Sequence, residues 1–427
     1  MHLIGWFAAG PIAYHQGGWR HPDSELGFFN AAQLAKWAKV LEDAKFDAVF
    51  FADGAEFDSD YAKRGHFHLL DLVPVASIIA HETSNLGIGI TQNSSVNDAF
   101  NIARQVGTLD SISQGRIAWN VVTGQSPREA QKYGRELPSR EDRYARATEM
   151  LEACSRLWGS TPESAVLLEK ETGRFVDTDA LDKFEYAGAH VQVVGPLPVA
   201  QSPQGRPVIL QAGASPAGRK LAARFADVVF IMSRTAEQLK ASAQTIRADA
   251  AAAERGGKVL VVPAVTVIVA ESTEQARADW KAVNDLVDLD QAIDSASSLT
   301  GINLRDYPLN LPVADLPVPE QGSIGLIQLL KESAAETGST LADAARSMTN
   351  SGVPLALGNP VEVADQLEAL FAESTADGFM VHCPIMPAGF ERFAETCSAL
   401  STSSPCRRPK SRGPPRRLPT PRPPPCA

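Results

Sequence analysis

The sequence predicts an α/β fold, a TIM (β/α)8 barrel with inserted segments, and three observations predict it. Eight apolar, β-branched runs alternate with amphipathic helical stretches through most of the 427 residues. No GxGxxG follows an early run and no GxxxxGK[ST] occurs, which argues against a doubly wound dinucleotide sheet and a P-loop. Several runs also end in polar residues, as expected where the carboxyl ends of barrel strands surround a site.

Taken in order, His2 to Ala8 (HLIGWFA) reads as the first strand. The stretch after it sets Leu34, Trp37, Val40 and Leu41 three and four apart, an apolar stripe that faces a sheet. Asp47 to Asp53, Asn85 to Thr91 and Arg116 to Thr123 follow as strands two to four. Pro207 to Ala214, Asp227 to Ser233, Val259 to Ala270 and Gly378 to Met386 complete the eight. Three connections, 54–70, 159–200 and 288–352, exceed ordinary barrel loops, and loops that long in a compact domain are lids or disorder. Residues 1–399 are expected as one barrel, and 400–427, with nine prolines after Leu400, as a disordered Arg/Pro-rich tail.

Composition narrows the function. No apolar stretch reaches the roughly 20 residues of a membrane helix, and the N-terminal MHLIGWFAAGPIAYHQ lacks a basic leader, so a cytoplasmic protein is expected. The tail holds six Arg, one Lys and no acid; setting these seven cations against the whole-chain charge of −10 leaves −17 on residues 1–400. Such a body repels nucleic acid and anionic membranes. Of five cysteines only Cys154 and Cys383 lie in the body, which is neither a disulfide framework nor a zinc ribbon. Cys383 reads as a small core residue. His66 and His68 lack a third ligand at usable spacing, so no metal is expected.

The stretch GRIAWNVVTG (115–124) concentrates the functional signal, because a strand that only needs burial has no reason to end in Asn120 and Thr123. Asp53, Thr91, Gln211 and Ser215 stand at corresponding ends, and together they would line one mouth. Gly213, Ala214, Ser215 and Pro216 form a tight turn into a helix, with Ser as cap and Pro at the first position. A phosphate would accept hydrogen bonds from the amides there and from the Ser215 hydroxyl. Each residue also has a plainer reading: Ser215 as an ordinary cap, Asn120 and Thr123 as satisfied strand ends, Asp53 as a loop cap.

The pieces GGWRHPDS (17–24), KFDAVFFAD (45–53), LDSISQGRIAWNVVTG (109–124), RYARATEMLEACSRLW (143–158), GRPVILQAGASPAGRKLAARFADVVF (205–230), and GNPVEVADQL with DGFMV (358–381) tip the balance. In these the chain resembles the bacterial luciferase-like flavin monooxygenases, in the branch of nitrilotriacetate monooxygenase component A, dibenzothiophene sulfone monooxygenase and long-chain alkane monooxygenase. The resemblance extends over residues 1 to about 393. It implies a barrel that takes reduced FMN from a separate NAD(P)H-dependent flavin reductase and lets it meet O2. The resulting flavin hydroperoxide puts one oxygen atom into a small organic substrate and releases the other as water. At matched positions it implies that Asp53 and Thr91 contact the isoalloxazine region. Asn120, with Thr123 beyond it, would face the ring or ribityl chain, and Tyr144 and Ser215 would hold the phosphate end. His21, in WRHP, is the candidate for polarising substrate or stabilising the peroxide, since imidazole donates near neutral pH; its alternative is a histidine capping a loop. Relatives associate as dimers or tetramers, so a homodimer or homotetramer is expected.

Two departures qualify the match. Relatives read HDERY where this chain reads REDRY, which puts Arg140 four residues before Tyr144 on one helix face, as a permanent cation toward the same phosphate. Relatives also continue after the eighth strand with a segment like VPELQRRG, whereas ETCSALSTSSPCRRPKSRGPPRR stands here. That tail reads either as a proline-rich interaction segment or as coding sequence in a shifted frame, the latter leaving the eighth helix short. Two other functions stay open. A deazaflavin-dependent oxidoreductase shares the barrel, though the WNVVT run and the insertion lengths speak against it; a binding-only flavoprotein would take up FMN without chemistry.

Overall fold

The computed structural model describes residues 1–8, 15, 17–26, 30–54, 59–63, 70–124, 126–212, 215–233, 235–254, 258–300, 302–317, 331, 339–348 and 353–403. Its strands are β1 His2–Ala8, β2 Ala48–Ala52, β3 Gly87–Asn93, β4 Ile117–Val122, β5 Val166–Glu169, β6 Arg174–Val176, β7 Glu185–Ala187, β8 Gln192–Val194, β9 Val208–Ala212, β10 Val228–Ile231, β11 Leu260–Val269, β12 Leu355–Gly358 and β13 Gly378–His382. Eight of them pair in parallel in the order β1-β2-β3-β4-β9-β10-β11-β13, and β13 returns to β1 to close the barrel. All eight predicted strands are present, with ends moved by up to four residues. The predicted TIM barrel is the fold.

Alternation along the strands builds two cores. On β1, Leu3 and Phe7 face outward and pack with Trp37, Leu41, Phe390 and Phe393 of the surrounding helices. Ile4 and Trp6 face inward and join Phe50, Leu210, Val228, Phe230, Val262 and Met380 to fill the barrel. The predicted helical stripe holds: in the helix Ala31–Asp43, Leu34, Trp37 and Leu41 are buried and Val40 packs beside them. Gly5 sits where this helix leans on β1, since a Cβ there would lie 2.6 Å from Leu41 Cδ1.

The insertions carry structure the sequence reading did not resolve. Segment 159–200 holds two small antiparallel hairpins, β5 with β6 and β7 with β8. Segment 288–352 contains the helices Leu289–Thr300 and Leu341–Met348 and a hydrophobic core of its own, built from Ile293, Ile302, Leu304, Val313, Leu316 and Leu341 together with Val287 just before it. Just beyond it lies β12, a strand not predicted, which pairs with the end of β11 from Thr266↔Leu355 to Val269↔Gly358. The closing helix runs Ala388–Ser403, one turn past residue 399, and Phe390 and Phe393 are fully buried in the outer core. It is 16 residues long, and Phe390 and Phe393 pack with Leu3 and Phe7 of β1 in the outer core. The tail expectation for 404–427 lies outside the described residues. Among the described residues no helix is long and apolar enough to cross a membrane.

Candidate active site

The strand ends converge on the mouth of the barrel as its topology requires, and the register sets neighbours: Phe51 beside Ile90, Thr91 beside Asn120, Asn120 beside Leu210. At the centre, the Asn120 side-chain amide donates to Thr91 Oγ1 at 2.9 Å, and Thr91 donates to the Phe51 carbonyl at 2.8 Å. Both side chains are buried, so they form a hydrogen-bonded floor that ties β2, β3 and β4 together. Thr123 stands above it, half-buried, its carbonyl held by Ser95 Oγ at 2.6 Å.

Asp53 is exposed at the end of β2 and accepts from the Gly54 amide at 2.8 Å. Surrounding protein raises its carboxyl to about 6, against the Gly54 hydrogen bond, and the like charges of Asp71 and Glu129 push the same way. Tyr133, also exposed, is raised by burial and then by the charges of Asp53, Glu129 and Asp71. Glu129 is fixed from below, accepting from Asn93 Nδ2 at 3.1 Å. Gly124 permits this approach: its φ is +63°, and a Cβ would lie 2.5 Å from Asn93 Nδ2.

On the far side Tyr144 reaches Ser215, hydroxyl to hydroxyl at 3.4 Å, across 71 residues of sequence. Ser215 caps the helix Pro216–Phe225, accepting from the Gly218 amide at 3.2 Å. Gly213 and Ala214 lie outside the described residues. Arg140 is exposed at the first position of the helix Arg140–Gly159. Its neighbour Arg143 was missed by the sequence reading: it is half-buried, its Nη1 donates to the Pro138 carbonyl at 2.9 Å, and its buried Nε has no hydrogen-bond partner among the described residues. Gln211, named among the mouth residues, is buried, and its Oε1 likewise lacks a donor among the described residues.

His21 stands apart from these groups. Its Nδ1 accepts from the Asp23 amide at 3.2 Å, the loop-capping role foreseen as its alternative. That bond sets the tautomer, leaving Nε2 to carry the proton as a donor. Among the described residues no hydrogen bond joins His21 to Asp53, Thr91, Asn120, Tyr144 or Ser215.

Two other histidines, absent from the sequence reading, lie on the β1, β11 and β13 side. His382 Nδ1 is 3.2 Å from Thr266 Oγ1, and its ring tilts against Trp6 at 5.8 Å. His15 Nδ1 accepts from the Gly17 amide at 3.2 Å, its Nε2 lies 3.4 Å from Asn284 Oδ1, and Trp280 meets it edge-on. Burial, and then the neighbouring His382, hold the His15 imidazole down at about 3 despite Asn284, so it stays neutral. A polar residue closing an apolar run, FMVH, was the signal for His382; it is the same signal that marked Asn120. The pair His66 and His68 lies outside the described residues.

The model of luciferase-like monooxygenases matches residues 5–378. The chain belongs to that family. It is similar to the dibenzothiophene-sulfone monooxygenase of Rhodococcus erythropolis (strain XP), 36% identical over 92% of this chain and 90% of the relative. Nitrilotriacetate monooxygenase component A of Aminobacter aminovorans is 32% identical over 89% of this chain and 87% of its own. The crystal structure of a long-chain alkane monooxygenase superposes with a TM-score of 0.82 at 27% identity, covering 94% of this chain and 91% of that one. The family resemblance seen in the sequence is thus borne out, and the chain is a flavin-dependent monooxygenase.

A flavin mononucleotide fits the described residues. It needs an anion corner, and the mouth has one where the Tyr144 and Ser215 hydroxyls meet at a helix start. It needs a polar surface for its ring, and the buried Asn120–Thr91 pair at the ends of β3 and β4 offers one.

Proposed function

We propose that this protein is the oxygenating component of a two-component system: it takes reduced FMN from a separate NAD(P)H-dependent flavin reductase, and inserts one atom of O2 into a small organic substrate. What carries the reading is the Tyr144–Ser215 pair at a helix N-terminus on the barrel mouth of a luciferase-like chain. Bound reduced FMN would supply the oxygen activation: two electrons from the flavin and one O2 would give the oxygenated product and one water.

The side chains bind, orient and exclude water. Tyr144, Ser215 and Arg143 hold the phosphate, with Gly213 and Ala214 contributing as the sequence suggests and Arg140 adding long-range positive charge. Asn120 on its Thr91 support, with Thr123 above, faces the ring or ribityl chain, and Asp53 faces the ring edge. His21 Nε2 donates toward the substrate side. The described part of segment 288–352 has a core of its own, and such an insertion would serve to keep water from the mouth. The protein works in the cytoplasm as a homodimer or homotetramer.

The deciding experiment measures reduced-FMN binding, then oxygen uptake and product with NADH and a flavin reductase, across sulfones, amines and alkanes. Substrate-dependent oxygenation with FMN supports the proposal. Activity only with a deazaflavin, or tight FMN binding with no oxygenation of any substrate, overturns it.

A further inference from the structure

The barrel mouth holds a second polar pair, to which the proposed function gives no role. On β11 and β13, Thr266 and His382 are partners in register and both buried, with Thr266 Oγ1 3.2 Å from His382 Nδ1. The residues two places before them, Ala264 and Met380, belong to the inner core, so by alternation both side chains turn into the barrel. Thr91 and Asn120 stand in the same relation to Gly89 and Ala118 on β3 and β4, and they too are register partners joined by a hydrogen bond. In the closed strand order, β3 and β4 are third and fourth, and β11 and β13 are seventh and eighth. The two pairs therefore lie directly across the mouth from each other. Between them the fill is aromatic: Trp6 meets Phe230 edge-on at 5.2 Å and tilts against His382 at 5.8 Å.

Packing alone gives no reason for this pair, since replacing both partners of a buried hydrogen bond by apolar groups of the same shape is nearly neutral or stabilising. Among the described residues of the eight strands, no other inward position at a carboxyl end carries a titratable side chain. The backbone around His382 is held tightly: a Cβ on Gly18, after β1, would come within 2.1 Å of the Pro384 carbonyl oxygen, two residues beyond the histidine. An eight-stranded barrel is only wide enough for side chains to fill, so a flat three-ring flavin laid over its mouth spans from one pair to the other. Resting on the function proposed above, we infer that His382 is a second contact of the flavin ring, made through Nε2 on the wall opposite Asn120. Thr266 is the residue that positions it, by holding Nδ1.

The test titrates reduced FMN and reduced riboflavin anaerobically into wild type, His382→Leu, His382→Gln and Thr266→Val, and records the absorption spectrum of bound oxidised FMN for each. Having lost one hydrogen bond to the ring, His382→Leu should weaken both flavins alike by about tenfold and shift the spectrum. His382→Gln, which keeps a side-chain N–H, should recover most of that loss, and Thr266→Val should cost about threefold through a less fixed imidazole. Affinities in His382→Leu within about twofold of wild type, a loss for FMN but not riboflavin, or equal losses in both His382 variants overturn the inference. If His382→Leu does not fold, Thr266→Val, which keeps the side-chain shape, decides: unchanged flavin affinities and spectrum overturn the inference as well. Failure of the wild type to bind reduced FMN would instead overturn the function it rests on.

Discussion

Asn120 and Thr91, 29 residues apart, share a buried 2.9 Å hydrogen bond that makes one rigid floor from adjacent strand ends. Thr91→Val preserves shape but removes the acceptor, stranding the Asn120 amide in a buried site. The expected cost is about 1–3 kcal/mol in stability, with weaker flavin binding, while Thr91→Ser is near neutral. Urea unfolding and an FMN titration of both variants check this.

The Tyr144–Ser215 corner is expected to recognise phosphate alone. Tyr144→Phe and Ser215→Ala should each weaken reduced-FMN binding about tenfold and leave riboflavin binding nearly unchanged. Ser215→Ala should also cost about 1 kcal/mol in stability through the lost helix cap. Arg143→Gln should follow the FMN pattern. Parallel titrations with FMN and riboflavin decide, and equal losses for both flavins would remove the phosphate assignment.

Asp53 predicts a pH signature. Its folded carboxyl titrates near 6 against an ordinary 3.8, so folding favours the protonated form. This contribution is fully present below about pH 3.8 and is lost as pH rises through 6. Glu42 behaves oppositely: burial pushes it up, but hydrogen bonds from Lys39 and the Asn85 and Ser84 amides outweigh this and bring it down to about 2. Its stabilisation is present above pH 4.5 and lost as pH falls through 2. Comparing wild type with Asp53→Asn isolates the first effect: the variant should gain relative stability as pH rises from 4 to 7, seen as a shift in urea midpoints.

Gly124 is tested by Gly124→Ala. A φ of +63° makes the new side chain cost about 1–2 kcal/mol, and its Cβ displaces Asn93 from Glu129. Unfolding measurements give the cost. A pH titration of Tyr133 fluorescence, with the other tyrosines replaced, reports the moved carboxylate.

The insertion core predicts local opening. Leu304→Ala or Ile293→Ala, both buried in the separate core of segment 288–352, should lose about 2–4 kcal/mol within that unit. Hydrogen exchange should quicken there and not in β1–β4, and more of the oxygen uptake should yield hydrogen peroxide in place of product.

Much of the site was legible because polar residues at the ends of apolar runs are a local pattern. The candidates Asp53, Thr91, Asn120, Thr123 and Ser215 were picked out this way, and His382 obeys the same rule. Arg143 gave no such signal; only the unpartnered Nε in the folded chain marks it. His21 was read as a donor or a loop cap, and its bond to Asp23 shows that the cap is made. The strand β12 was hidden because LALG is four residues long inside a segment read as insertion, and it pairs with β11 beyond the end of β10.

The sequence by itself determined the eight barrel strands and their order, since a two-residue alternation and a three-to-four-residue stripe are set by neighbours along the chain. It also determined the family, through motifs kept in order. Only the tertiary structure decided which ends meet: Thr91 under Asn120, Tyr144 on Ser215, Glu129 on Asn93, and His15 against Asn284 at a separation of 269 residues. The physical reason is that these contacts depend on barrel closure and strand register, which bring together side chains whose spacing along the chain carries no period.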